Sequence, residues 1–297
     1  MSLIALKIDV DTYRGTREGV PRLASLFETL GVRATFLFSL GPDHTGRAVR
    51  RAFRKGFASK VRRTSVVKHY GIRTLMYGTL LPGPHIGRRC QAIMRGIAER
   101  GFEVGVHTYD HVKWQDGVAR ASESWARREL TLARDQFTEV FGRPPALHGA
   151  AGWQVNRYVP QLEKELGFQY ASDARGESPF VPVVDGVEVD VPQLPTTLPT
   201  LDELVGRPEI PDPVAHLLEL AVPGRDHVYT LHAEMEGGLY QEAFERLLQG
   251  WRARGAELTD MASYARTLDF QRLPRCRMVE GTVDGRSGTL ATQTVAG

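Results

Sequence analysis

Cysteine is nearly absent. Cys90 and Cys276 are the only two in 297 residues. Two thiols so far apart build no disulfide framework and lack the paired spacing of a zinc knuckle. A reducing compartment fits this usage. Long apolar runs are lacking as well. The opening Met-Ser-Leu-Ile-Ala-Leu-Lys-Ile-Asp holds an apolar stretch too short for a secretory signal and broken by Lys7 and Asp9. The longest uncharged run, Thr74 to Gly87, is interrupted by Gly and Pro and is too short to span a bilayer. The expectation is a cytoplasmic chain, neither secreted nor integral. A third shortage is local. Between His44 and Ala98 there is no Asp or Glu, yet that stretch carries 13 Lys and Arg. Subtracting those 13 from the net charge of +3 leaves the rest of the chain at about −10. Such an asymmetry points to an acidic partner: a membrane surface, a phosphate or a nucleic acid.

What is present suits a globular protein of one large or two modest domains. Hydrophobic residues make up 42 %, enough to bury a sizeable core, and charged residues 25 %. Leu3 to Val10 reads as a strand. Glu18 to Leu30 has helical spacing, with Thr16 placed to cap it. Further strands are predicted over Arg33–Phe38, Phe102–Val106, Gln169–Ala171 and Val228–Leu231. Helices are predicted over Arg88–Arg100, stopped by Gly101, and over Ala119–Phe141, stopped by Gly142. Others are predicted over Pro160–Leu166, Tyr240–Arg254 and Met261–Leu268. Strand and helix alternate with short connections, which argues for an α/β fold with a mainly parallel sheet. No internal repeat is visible. Gln271 to Gly297 has weak pattern and reads as a tail.

The metal-capable residues share one position: the C-terminal ends of predicted strands. In α/β barrels the loops at that end converge on the active site. Asp9 and Asp11, two apart on a strand, point to the same side. Held close, their carboxylates repel unless a cation or a shared proton intervenes; otherwise they are two solvated acids of an exposed loop. His107 and His111 stand four apart. On a helix that spacing puts both rings on one face, as a two-histidine metal grip, or as a hydrogen-bonded pair at a helix start. Two imidazoles with one carboxylate leave coordination positions open for water and substrate, and the acidic pair at another strand end favours this reading. His232 follows a late strand. It is either a proton donor working near neutrality or a core histidine with a backbone partner. Glu234 and Glu236 lie by the same mouth, either holding an ammonium product or simply exposed.

Asp9-Val10-Asp11, His107-x-x-x-His111 and Leu231-His232 resemble three motifs of the polysaccharide deacetylase, or NodB-homology, family. The resemblance implies an irregular (β/α) barrel that hydrolyses N-acyl groups from sugars. It implies Asp11, His107 and His111 as ligands of one divalent metal, Asp9 as general base and His232 as general acid. A mixed Asp/His set suits zinc, manganese, cobalt, nickel or iron. Longer runs are similar to one branch of the family: Ile8 to Pro21, Ser39 to Asp43, Ala150-Ala151-Gly152-Trp153, Leu198 to Glu203 and His232 to Gly237. That branch removes formate from an aminosugar carried on a polyprenyl phosphate, a step toward adding aminoarabinose to lipid A and lowering the charge that polymyxins bind. On this reading Trp153, Arg175, Glu234 and Glu236 contact substrate, with a backbone N–H near Trp153 helping to stabilise the oxyanion. The family's Arg-Pro-Pro-Tyr-type motif is displaced: Arg143-Pro144-Pro145 comes early, and His148 stands near where its arginine would be. That arginine orients the base, so Asp173 and Arg175 are the candidate substitutes, Arg175 being equally readable as half of a surface ion pair.

The implied layout is a catalytic domain over residues 1–270, with a basic insertion at 44–87 and a tail at 271–297. Within the insertion Val49, Phe53, Phe57 and Val61 recur every four residues among Arg47, Arg50, Arg51, Arg54, Lys55, Arg62 and Arg63. Apolar residues follow: Ile72, Leu75, Met76, Tyr77, Leu80 and Leu81. A basic amphipathic helix of this kind suits an anionic membrane surface, and its alternative is a solvated helix packed on the barrel. Two other functions remain on residues alone. One is deacetylation of another N-acylated sugar, against which a cytoplasmic start and a basic insertion argue. The other is a non-catalytic binder of membrane or nucleic acid, which leaves the acid and histidine set unexplained. Nucleic acid is disfavoured because few aromatics are interleaved for base stacking.

Overall fold

A computed structural model describes residues 2–48, 71–286 and 288–295. Its main sheet is built from β1 (Leu3–Val10), β2 (Thr35–Ser39), β3 (Glu103–Thr108), β4 (Leu147–His148), β5 (Tyr170–Ala171), β8 (His227–His232) and β9 (Glu257–Thr259). The order is β5-β4-β3-β2-β1-β8, with β9 also pairing to β1, and every pairing is parallel. Between β5 and β8 the extended segment 193–197 carries the hydrogen bonding across. Leu194 N–H donates to Ala171 O and Thr197 N–H to Val228 O. The result is the α/β fold with a parallel sheet that the alternation of elements leads one to expect, curled into the irregular (β/α) barrel that the family resemblance implies.

Each strand sorts its side chains with period two. Ile4, Leu6, Ile8 and Val10 of β1, Phe36 and Phe38 of β2, Val104 and Val106 of β3, and Tyr229 and Leu231 of β8 are buried in one cluster with the surrounding helices. A fully buried Leu, Ile or Phe contributes roughly 1.5–3 kcal/mol, so this outer layer holds the strands in place. The alternate residues look inward. Ala5, Leu37, Leu147, Tyr170, Leu194 and Val228 form an apolar floor, closed by Met261, Tyr264 and Ala265 of the helix Met261–Arg266. Above that floor the inward positions of β1 turn polar: Lys7, then Asp9, with Asp11 just beyond the strand.

Several expectations change. Thr16 caps nothing, because the chain is already helical there. Gly15–Gly19 is a π-helical turn leading into the helix Val20–Leu30, and the Thr16 hydroxyl donates to Thr12 O. His107 and His111 do not share a helix. His107 is the penultimate residue of β3, Asp110 caps the next helix by accepting from Lys113 N–H, and His111 is that helix's first residue. The stretch read as a tail holds two strands, β10 (Arg275–Gly281) and β11 (Leu290–Val295). They join β6 (Val181–Val184) and β7 (Val187–Glu188) in a second sheet of order β11-β10-β6-β7. The expected basic helix, Val49 to Arg63, lies outside the described residues. Just after it, Ile72 and Leu80 are 69 % and 79 % exposed. No helix among the described residues is long and apolar enough to cross a membrane.

Candidate active site

Three strand ends converge on one cluster. Asp11 Oδ1 lies 3.2 Å from His107 Nε2 and 3.4 Å from His111 Nε2. The His107 Nδ1–H donates to the Gly149 carbonyl at 2.7 Å, which fixes the tautomer and leaves Nε2 bare toward Asp11. Asp11 Oδ1 is buried and accepts no hydrogen bond from the protein. A bare imidazole nitrogen, a second imidazole and an orphaned carboxylate oxygen, all within 4.8 Å of one another, are the donor set a divalent cation needs. Burial works against the Asp11 carboxylate. His111, His107 and His232 outweigh it and hold the group well below the usual carboxylate range.

A second group, His148, Glu163 and Asp173, is also close enough to hold an ion, but its chemistry is different. His148 Nδ1 lies 2.5 Å from Glu163 Oε1 and 3.1 Å from Asp173 Oδ1, with all three residues buried. Burial opposes protonation, yet Asp173 and Glu163 together push the imidazole up to about 10. This is an imidazolium whose Nδ1 is already committed to Asp173 and Glu163, while burial and the neighbouring Asp173 push the Glu163 carboxyl well above its usual range.

Asp9 sits beneath the triad, 3 % exposed. Its Oδ1 is 3.7 Å from Lys7 Nζ and 3.9 Å from His107 Nδ1. His232 is its register partner on β8. Asp202 Oδ1 faces His232 Nδ1 at 3.7 Å. Burial would lower the imidazole's pKa, but Asp202, Asp11, Glu236 and Asp9 raise it to about 9. Glu234 and Glu236 turn oxygens toward the backbone. Glu234 Oε1 accepts from Asp11 N–H, Thr12 N–H and the Thr12 hydroxyl at 3.1, 2.9 and 2.8 Å. Glu236 Oε2 accepts from His232 N–H at 2.8 Å. Burial first of all raises both, Glu234 to about 8 and Glu236 to about 7. Each therefore shapes the loop of a neighbouring site residue. The fit is close enough that a Cβ at Gly15 would collide with Glu234 Oε1.

Trp153 connects the two sides of the site. It adopts φ 52° after Gly152 at φ 62°, a left-handed pair, and a non-glycine residue held there is a strain feature found at functional sites. Its indole N–H donates to the Thr196 hydroxyl at 3.1 Å. Its backbone N–H donates to Ala150 O, so that group is already engaged. Three cations surround the ring, with Lys7, Arg175 and Arg286 at 5.4, 5.1 and 4.3 Å from its centre. Arg175 does not reach Asp9. Its guanidinium donates to Glu203 Oε1 at 2.6 Å and to Leu198 O at 3.1 Å. Asp173 is occupied by Ala150 N–H, Gln193 and His148. Neither expected substitute for the family's arginine touches the base.

Sequence reading assigned no role to Lys7, Asp202 or Arg286. Lys7 stands out only as a charge two residues before Asp9 in an otherwise apolar strand. Asp202 falls within the run Leu198 to Glu203, whose similarity to the deformylating branch was the signal available. Arg286 comes from the supposed tail. Its Nε lies 2.8 Å from Glu203 Oε1 and its Nη2 3.7 Å from Asp202 Oδ2.

With this geometry in place, comparison with known proteins is decisive. Residues 3–171 match the model of the polysaccharide deacetylase family. The chain belongs to that family. A protein of Shewanella sediminis named "Probable 4-deoxy-4-formamido-L-arabinose-phosphoundecaprenol deformylase" is 36 % identical over 294 residues, 98 % of this chain and 94 % of the relative. A Wigglesworthia glossinidia brevipalpis protein of the same name is 29 % identical over 287 residues, 94 % of this chain and 98 % of that one. Among solved structures, a Mycobacterium smegmatis protein described as a polysaccharide deacetylase superposes with a TM-score of 0.63 at 19 % identity, covering 95 % of both chains. An allantoinase superposes with a TM-score of 0.57 at 15 % identity, covering 89 % of both. The solved structures speak to the fold alone, and they share the α/β barrel described above.

Proposed function

We propose that this deacetylase-family chain hydrolyses the N-formyl group of 4-deoxy-4-formamido-L-arabinose carried on undecaprenyl phosphate, giving the 4-amino sugar and formate. One observation carries the reading. A carboxylate–imidazole triad fit for a metal stands beside an acid–base pair in register on adjacent strands, in a chain that matches deformylase-named relatives along nearly its whole length.

Asp11 Oδ1, His107 Nε2 and His111 Nε2 would hold one divalent ion. Such an ion, when bound, polarises the formyl carbonyl and makes water more acidic. Asp9 takes the proton as water attacks the formyl carbon. His232 gives a proton to the leaving nitrogen, which is a poor leaving group without it. A pKa near 9 keeps His232 protonated at neutral pH, the state a general acid requires. Asp202 orients it and favours the charged form. Trp153 and the guanidinium groups of Arg175 and Arg286 form the wall nearest the acid and would border the sugar.

The substrate's lipid anchor fits a peripheral position on the inner face of the inner membrane. Its support is the acid-free stretch with 13 Lys and Arg, followed by the exposed Ile72 and Leu80. Each basic residue near an anionic leaflet contributes roughly 1 kcal/mol, so several give reversible attachment. The test of function is formate release by the purified protein from a formamido-arabinose polyprenyl phosphate, with and without chelator. Release that chelator stops and added metal restores supports the reading. Release of acetate from an N-acetylated sugar, with none from the formyl compound, would replace it with the deacetylase alternative.

A further inference from the structure

Lys7 is a fully buried charge inside the barrel, and the proposed hydrolysis leaves it without a role. It is fully buried on the inner face of β1, between the apolar floor residue Ala5 and Asp9. Burying an ammonium is costly unless it is paired and hydrogen-bonded. Its Nζ donates to the Ser172 carbonyl at 3.2 Å and lies 3.7 Å from Asp9 Oδ1. Asp9 Oδ1 is itself buried without a hydrogen-bond partner. The other nitrogen near it, His107 Nδ1, is 3.9 Å away and spends its proton on Gly149 O. Arg175, the expected orienting group, is turned to Glu203. Lys7 is therefore the cation that Asp9 faces.

We propose that Lys7 is the positioning residue of the base: its Nζ, anchored on the Ser172 carbonyl, fixes the Asp9 carboxylate in place at the foot of the His107–His111 cluster. Strand geometry supplies the alignment. Lys7 and Asp9 occupy alternate positions of β1 and Asp11 follows just beyond its end, so cation, base and metal-ligand candidate come in succession along the chain. Burial lowers the Lys7 pKa, while Asp9 and Asp173 act to keep the ammonium charged.

The inference rests on Asp9 serving as the base of the proposed hydrolase, and a double-mutant cycle tests both levels. Lys7→Met keeps the length of the side chain and removes its charge. With the formamido sugar phosphate it should lower kcat about a hundredfold, the scale set by a misplaced catalytic group, with KM and the zinc or manganese Kd unchanged. In an Asp9→Asn background the same substitution should cost nothing further, because the two residues act as one unit. Should Lys7→Met fail to fold, Lys7→Gln keeps a donor for Ser172 O without the charge and carries the same expectation. An undiminished kcat in an active wild-type background overturns the role of Lys7 alone, as does a full second loss in Asp9→Asn. A metal-loaded wild type that releases no formate overturns the proposed function and this inference together.

Discussion

Asp9 and His232 are register partners on the adjacent parallel strands β1 and β8. The pairing is tied at the strand ends, where the Ala233 N–H donates to Asp9 O at 3.0 Å. A one-residue slip in this register would turn one side chain of the pair out of the barrel. The separation of the proposed base and acid is thus set by backbone hydrogen bonding between adjacent strands and not by loops.

Activity should hold through neutral pH and fall as pH climbs past about 9, where His232 loses the proton it must donate. Asp202 supplies the largest favourable contribution to that protonation, so Asp202→Asn should move the fall to lower pH. His232→Gln should lose roughly 10²–10⁴-fold in kcat at neutral pH while still binding metal. Rate profiles for formate release, with metal content measured in parallel, check this. A basic limb unmoved in Asp202→Asn would show that the carboxylate facing His232 does not govern it.

The two acids of β1 should separate in a melting experiment. A ligand that binds the folded state at about 100 times its Kd adds roughly 2.7 kcal/mol of stability. Zinc or manganese should therefore raise the Tm of the wild type and of Asp9→Asn, but not of Asp11→Ala. Asp9→Asn should release formate far more slowly despite its bound metal, with a residual rate still measurable. Equal metal-induced shifts in Asp11→Ala and the wild type would remove Asp11 from the ligand set.

The helices were legible because burial on one face writes a period into the sequence, and the longer strands because burial on both faces makes each an apolar run: β1, β2, β3 and β8 lie close to those runs. The two-residue β4 and the three-residue β9 are too short to show a period. The second sheet joins β10 to β6 from a distant part of the chain, which local pattern cannot reveal. The triad was legible as residue types at strand ends, though not the route that joins His107 to His111. Lys7 was hidden for the opposite reason. A lysine normally marks the surface, and only the tertiary fold shows this one to be enclosed.

Arg286 makes the C-terminal sheet part of the site's wall. Asp284 of the same turn pairs with Arg207 at 2.7 Å, and a Cβ at Gly285 would strike the Glu203 carbonyl. Arg286 then lays its guanidinium on Trp153 and against Glu203, which is 2 % exposed. Arg286→Ala removes one of the two guanidinium partners of that buried carboxylate, leaving Arg175 and the Thr200 N–H, at a cost of about 1–3 kcal/mol. Denaturant titration should show the loss, with metal affinity unchanged. An unaltered midpoint would mean that the arginine is dispensable to the wall.

His148 should make stability depend on pH in a direction that can be worked out beforehand. Its folded-state pKa of about 10 lies above the ordinary histidine value of 6.5. A group raised in this way contributes in full below its unfolded pKa, and the contribution is lost as pH rises through the folded one. Stability should therefore decline between about pH 6.5 and pH 10 as the imidazolium between Asp173 and Glu163 is discharged. His148→Gln should destabilise the protein by roughly 3–5 kcal/mol at neutral pH, because it removes the cationic partner of the buried Asp173 carboxylate, and should flatten the decline. Chemical denaturation across that range, on wild type and variant, measures both. A wild-type midpoint that stays level from pH 6.5 to 10 would mean that the triad does not hold its proton on His148.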